Sequence, residues 1–201
     1  MKKKIEIGIM VLALTGLLIE ILSHMFQDPF NFFRGVGLIR YYTIQSNGIV
    51  FGYFLLGLFD KVKEHPLYQK MLPGVVIYIA VTFLIFATML QGTFEITGIR
   101  ILGNLLVHYI VPILSIIYLF VYGENKYNYK DVLVWIVYPL SYIVFMFIYG
   151  SITSDYLYPF FDLNVIGIWT LTITIIILIV LFLILSFIVV KILSKKELTN
   201  N

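Results

Sequence analysis

The sequence predicts an all-α polytopic integral membrane protein with six transmembrane helices and both termini in the cytoplasm. Three observations carry that reading. The 201-residue chain is 61% hydrophobic and 12% charged, with a mean hydropathy of +0.98, where a soluble domain averages roughly 45–50% apolar and about 25% charged. Its apolar residues fall into six runs near the ~20 residues needed to cross a bilayer as a helix. Its lysines and arginines separate by side once those runs are threaded through a membrane.

The first run covers 5–25. The opening Met1-Lys2-Lys3-Lys4 resembles the basic start of a signal peptide. The apolar stretch behind it exceeds the roughly 7–15 residues of a signal core, and no small-residue cleavage site follows, so it reads as a retained helix. A link with Asp28-Pro29, Gly35 and Gly37 leads to the second run, 41–59. The lysine-rich turn Asp60-Lys61-Val62-Lys63-Glu64-His65-Pro66 leads to the third, 71–90. A short link beginning at Gln91 separates it from the fourth, 100–121. The segment around Gly123-Glu124-Asn125-Lys126 through Asp131 precedes the fifth, 132–149. A loop with Tyr158-Pro159-Phe160-Phe161-Asp162 precedes the sixth, 165–192, whose length implies tilt or extension past the bilayer. Short links make successive helices antiparallel neighbours. Pro112 and Pro139 are expected to kink the fourth and fifth helices, because proline cannot donate to the helical ladder. The six runs consume nearly the whole length, so 1–201 is expected to form one transmembrane domain with no separate soluble part.

Placing the N-terminus inside puts Lys2, Lys3, Lys4, Lys61, Lys63, Lys70, Lys126, Lys130, Lys191, Lys195 and Lys196 on the cytoplasmic side. Only Arg34, Arg40 and Arg100 are left outside. Every lysine is then inside and every arginine outside, a strong positive-inside bias. A net charge of +3, with lysines beside membrane segments, gives no basic surface for nucleic acid. The absence of cysteine removes disulfides, thiolate metal sites and cysteine nucleophiles.

Polar residues inside the apolar runs carry the functional signal, because hydrocarbon offers no water to satisfy them. In the second run Thr43, Ser46 and Asn47 are spaced i, i+3, i+4 and share a helix face, with Arg40 one turn earlier. In the fourth, Arg100, Asn104 and His108 recur every four residues, which places His108 about 12 Å along the helix from Arg100. Glu20 and His24 form an i, i+4 pair at the end of the first run, and Gln91 ends the third. With Asp155, Asp162 and Asn164 of the fifth link, all of these lie toward the outer face, while the inner halves are nearly devoid of such groups. An outward-opening polar pocket in the outer leaflet is the simplest account.

Each residue has a structural reading beside the functional one. Thr43 is either a nucleophile or a hydroxyl bonded within the bundle. His108 is either a base or a satisfied bundle histidine. Ser46, Asn47 and Asn104 either polarise a substrate carbonyl or tie helices together. Arg40 and Arg100 either hold an anionic group or snorkel to headgroups. Glu20 with His24 is either a helix-end pair or part of a binding site, and Asp162 is a further outer-side acid. The tyrosines Tyr41, Tyr42, Tyr149, Tyr156 and Tyr158 fit an interfacial belt. No metal-ligand spacing such as HExxH occurs, and neither a metal nor another cofactor is implied.

Three patches occur in one order along the chain: Tyr41-Tyr42-Thr43-Ile44-Gln45-Ser46-Asn47, then Asn104-Leu105-Leu106-Val107-His108-Tyr109-Ile110-Val111-Pro112, then Tyr158-Pro159-Phe160-Phe161-Asp162. With six runs, they resemble the androgen-induced-gene family of integral membrane proteins and its prokaryotic relatives. The resemblance implies a six-helix fold and a threonine hydrolase of fatty acid esters of hydroxy fatty acids, with Thr43 as nucleophile and His108 as base. The chain departs from the animal pattern at Tyr109, where those members carry a second histidine, and Gln45-Ser46-Asn47 looks like the prokaryotic branch. The expected chemistry is attack of Thr43 on a lipid ester, with Ser46, Asn47 or Asn104 supplying oxyanion donors. Arg40, Arg100, Glu20 or Asp162 would contact the substrate. An acyltransferase, a small transporter and a non-enzymatic lipid-binding protein are the alternatives.

Overall fold

A computed structural model describes residues 1–93, 95–123 and 127–195. Lys126 and Lys196, counted above on the cytoplasmic side, lie outside the described residues. All regular structure among the described residues is helical. The chain divides into two compact units, Met1–Glu124 and Asn125–Asn201. Among the described residues, five helices are long and apolar enough to cross a membrane: Lys2–Met25, Pro66–Leu90, Arg100–Tyr122, Val132–Thr153 and Leu163–Ser194.

In the first unit, α1 (Lys2–Met25) is followed by a short α2 (Phe32–Val36) and a 3-10 turn, Gly37–Arg40. Asn31 caps α2 by accepting the Arg34 amide at 3.2 Å. Tyr41 is extended (φ −78°, ψ 136°), and α3 runs over Tyr42–Leu56. This second apolar run is helical for 15 residues, roughly 22 Å, which is less than the ~30 Å hydrocarbon thickness. Gly57 caps it, and the residues expected to extend the run to 59 turn instead toward α4 (Asp60–Lys63).

The third run begins earlier than its hydropathy suggests. Pro66 sits at the first turn of α5 (Pro66–Ile85), where a missing N–H costs nothing, and the His65 ring accepts the Leu67 amide at 3.3 Å. α5 passes into a π turn, Phe86–Leu90, closed by a Gln91 N–H that reaches back to Phe86 O. The fourth run is α6 (Arg100–Leu105), a second π turn at Leu106–Ile110, and α7 (Val111–Tyr122). Pro112 accounts for that interruption. It has no N–H for the His108 carbonyl, and the Val111 N–H bonds Leu106 O five residues back.

Within this unit α1 packs on α3, α6 and α7, and α5 packs on α3 and α7. Small residues set the close approaches. A Cβ on Gly16 would lie 2.9 Å from Val107 Cγ1 and 3.0 Å from Leu106 Cβ, and one on Gly103 would lie 2.7 Å from Ile19 Cγ2. The core includes Ile9, Ala13, Val50, Phe54, Val107, Val111 and Leu119, and residues 72–79 of α5 are buried without interruption.

In the second unit α8 (Val132–Trp135) and α9 (Val137–Thr153) divide the fifth run at Ile136. The division lies three residues before Pro139, as the missing N–H requires. A 3-10 turn at Pro159–Phe161 leads into α10 (Leu163–Lys195), which breaks at Gly167 (φ 71°). That conformation costs glycine little and other residues much. The sixth run is thus an N-terminal turn followed by one long apolar helix.

Candidate functional site

Two residues 65 positions apart meet in the first unit. Thr43, in the first turn of α3, places Oγ1 3.4 Å from Nε2 of His108. His108 Nδ1 lies 3.2 Å from the backbone carbonyl of Asn104, one turn earlier. A carbonyl only accepts, so Nδ1 carries the proton and Nε2 presents its lone pair to the threonine hydroxyl. Thr43 therefore donates to His108, the polarity that a nucleophile and general base require. The distance is at the long end for a hydrogen bond, within the range found in sites without substrate.

The histidine sits in the π turn Leu106–Ile110, an interruption of a kind often found at functional positions. Its ring stacks on Phe86, with centroids 3.7 Å apart and planes 18° from parallel. Phe86 is buried and opens the other π turn. Tyr109 braces the same corner. It meets Phe83 and Phe86 edge to face and donates its hydroxyl to Gln91 Oε1 at 2.6 Å. The group that orients His108 is thus main chain on one side and an aromatic face on the other, and neither is an acid.

Ser46 and Asn47 lie directly beneath this pair, fully buried. Asn47 Nδ2 donates to Thr43 O at 2.8 Å and to Val107 O at 3.0 Å, so one amide ties the start of α3 to the second π turn. Its Oδ1 is buried without a hydrogen-bond partner. The Ser46 hydroxyl donates to Thr43 O at 3.1 Å and accepts from Thr82 Oγ1 at 2.8 Å, and Thr82 Oγ1 also lies 3.4 Å from Tyr78 O. These donors are committed to holding Thr43 in place. The side-chain amide of Asn104 hydrogen-bonds to no described residue, which leaves its N–H groups open to a substrate oxygen.

The remaining expected residues are spread more widely. Glu20 and His24 lie in the last two turns of α1, where the His24 ring donates to Glu20 O at 2.8 Å and Nδ1 stands 3.9 Å from Glu20 Oε2. Glu20 Oε1 and Arg100 Nε are both buried without a hydrogen-bond partner, and the Arg100 charge acts on both Glu20 and His24. Arg40 belongs to the 3-10 turn ahead of α3 rather than to the helix, and its Nε folds back to Gly37 O at 2.8 Å. The face shared by Thr43, Ser46 and Asn47 therefore does not extend to Arg40. Asp162 belongs to the second unit, where it accepts the Asn164 amide at 3.0 Å at the start of α10.

Sequence reasoning passed over three residues, two of them at the site. Phe86 and Thr82 occur in a run read only as apolar, and the signal for Thr82 was a lone hydroxyl in that run. At the other end of the bundle Glu6 is buried, accepts the Tyr118 hydroxyl and stands 3.6 Å from Lys63 Nζ. An acid two residues after three consecutive lysines was the available signal for that group. Among the described residues no three His, Asp or Glu side chains gather closely enough to hold a metal ion. Comparison with protein-family models, curated proteins and solved structures finds no match for the chain.

Proposed function

We propose that the protein is an intramembrane threonine hydrolase of lipid esters, in which Thr43 is the nucleophile and His108 the general base. The observation that carries this reading is the Thr43 Oγ1–His108 Nε2 contact of 3.4 Å, with the histidine tautomer fixed by the Asn104 carbonyl. His108 takes the threonine proton as Oγ1 attacks the ester carbonyl. The tetrahedral oxyanion collapses with loss of the alcohol, which His108 protonates. Water activated by the same ring then releases the acid from the acyl-threonine. Asn104 is the available side-chain donor for the oxyanion. Arg100, two turns before His108 at the start of α6, supplies positive charge for a carboxylate or headgroup.

The sequence resemblance to the androgen-induced-gene family supports fatty acid esters of hydroxy fatty acids as the substrate class, and an alcohol in place of water would make the same acyl-enzyme an acyltransferase. The lysine and arginine distribution supports six spans, with α3 as the short one. It also supports cytoplasmic termini and a pocket facing the outer leaflet, and the resemblance to the prokaryotic branch supports a prokaryotic plasma membrane. Glu6, Lys63 and the buried Ser115, whose hydroxyl has no hydrogen-bond partner, supply the polar groups that a small transporter would need at the other end. Solute flux into proteoliposomes is the test of that second reading.

The test of the first is labelling of the purified protein by a lipophilic fluorophosphonate, followed by turnover of lipid esters. Wild type labels, and Thr43→Ala and His108→Ala each lose labelling and turnover while keeping wild-type helicity. Full turnover in either folded variant ends the assignment.

A further inference from the structure

The bundle carries a second concavity toward the end opposite Thr43. It is a groove of about 580 Å³, within the roughly 300–1,000 Å³ range of ligand sites. The short α3 explains it. This helix stops at Leu56 while α5 begins ten residues later at Pro66, and α4 bridges them across the gap. The walls are almost wholly apolar, with Ile49, Gly52 and Leu56 on α3 and Met71 and Val75 on α5. The groove also includes Tyr53 and Tyr68, stacked with centroids 4.3 Å apart and planes 2° from parallel. Their arrangement is locked by the Tyr68 hydroxyl, which donates to Tyr53 O at 3.0 Å. A Cβ on Gly52 would meet nothing within 4 Å, so the groove is open at its middle.

Lys61 and His65 border the groove through their carbon atoms, and both side chains are exposed, so their polar ends lie at its rim. The His65 ring accepts the Leu67 amide through Nδ1, so in the neutral ring the proton is on Nε2. That N–H has no hydrogen-bond acceptor among the described residues and is available to an anionic oxygen, and the Lys61 side chain borders the same groove. An apolar slot with a cation and an N–H donor on the side chains at its rim matches one kind of occupant, a hydrocarbon chain joined to an anionic phosphate. A free phosphate would leave the slot empty, and a neutral alkane would leave the two polar groups unused.

We infer that this groove is a binding site for an anionic glycerophospholipid, with one acyl chain along Gly52 and the Tyr53–Tyr68 pair and the headgroup phosphate on Lys61 and His65. This site is separate from the Thr43–His108 pair and does not depend on the hydrolase reading. A cation near an anionic lipid headgroup contributes about 1 kcal/mol, or roughly fivefold in affinity.

The experiment is native mass spectrometry of the full-length protein in non-ionic detergent, titrated with phosphatidylglycerol or phosphatidylcholine carrying identical acyl chains. Wild type is expected to bind one phosphatidylglycerol about fivefold more tightly than phosphatidylcholine. Lys61→Gln, on an exposed side chain, is expected to abolish that preference. Gly52→Leu fills the slot and improves helix propensity, and is expected to weaken both lipids by about tenfold. Equal wild-type affinities for the two lipids overturn the inference, as does wild-type binding by Gly52→Leu. A dimer that Gly52→Leu converts to monomer overturns it in favour of a second copy of the chain as occupant.

Discussion

Replacing Asn47 tests the clamp that positions Thr43. Asn47 is fully buried, and its amide donates at 2.8 and 3.0 Å to carbonyls on two different helical segments. In Asn47→Ala both bonds go, at an average of about 0.6 and at most about 1.7 kcal/mol each between membrane helices. The vacated space adds about 1 kcal/mol at roughly 24 cal/mol per Å³ of cavity. Two further terms oppose each other. Loss of the unpartnered Oδ1 removes a desolvation penalty, and the Val107 carbonyl loses its side-chain donor and acquires one of similar size. Thr43 O keeps the Ser46 hydroxyl. The net is about 2 kcal/mol, which lowers the melting temperature by roughly 4–8 °C for a chain of this length. Asn47→Asp keeps the volume but sets acceptors against two carbonyls, so it is expected to melt below Asn47→Ala. Thermal unfolding followed by far-ultraviolet circular dichroism reads both. An Asn47→Ala protein that melts within about 1 °C of wild type, or an Asp variant more stable than the Ala variant, would refute the clamp.

Phe86→Leu keeps most of the buried volume but removes the flat face beneath His108. The fluorophosphonate labelling rate is expected to fall by about tenfold at wild-type helicity, and an unchanged rate would remove Phe86 as the support of the ring. Gly16→Val drives a Cβ into Val107 and Leu106 at the contact of α1 with the second π turn and is expected to cost about 1–3 kcal/mol. Gly48→Ala, where a Cβ meets nothing within 4 Å, is expected to melt at or above wild type. Equal melting temperatures for the two glycine variants would contradict the close approach at Gly16.

On the proposed reading, lipid delivery and proton transfer make different demands on this bundle. Thr43 and His108 are half-buried, near enough to the ends of α3 and α6 for an ester group to reach them. The residues that hold them, Ser46, Asn47, Phe86 and Val107, are buried. The Thr43–His108 pair is therefore partly accessible while the residues around it are dry, which strengthens each supporting hydrogen bond.

The sequence by itself determined the all-helical, strongly apolar character and most of the polar positions, but it implied six spans where five helices among the described residues have spanning length. Hydrocarbon-length apolar runs admit only helices when every backbone group must be satisfied within the segment, and lone polar side chains stand out against them, so Thr43, Ser46, Asn47, Asn104 and His108 were legible from spacing. Spacing along one helix says nothing about which face of another it meets, and only the tertiary structure decided that Thr43 faces His108. The same limit hid Phe86, because an aromatic in an apolar run looks the same whether it packs on leucine or on a histidine ring. It hid the competition for donors as well. Ser46 and Asn47 were candidates for an oxyanion until the carbonyls of Thr43 and Val107 were seen to claim them. Helix ends were the least legible feature, since Leu56, Leu58 and Phe59 are as apolar as the residues before them. The end of α3, and with it the groove beside Gly52, was set by how Gly57 and α4 turn back toward α5. Hydropathy measures what a residue prefers to leave, whereas contacts across 65 residues of chain are fixed by packing.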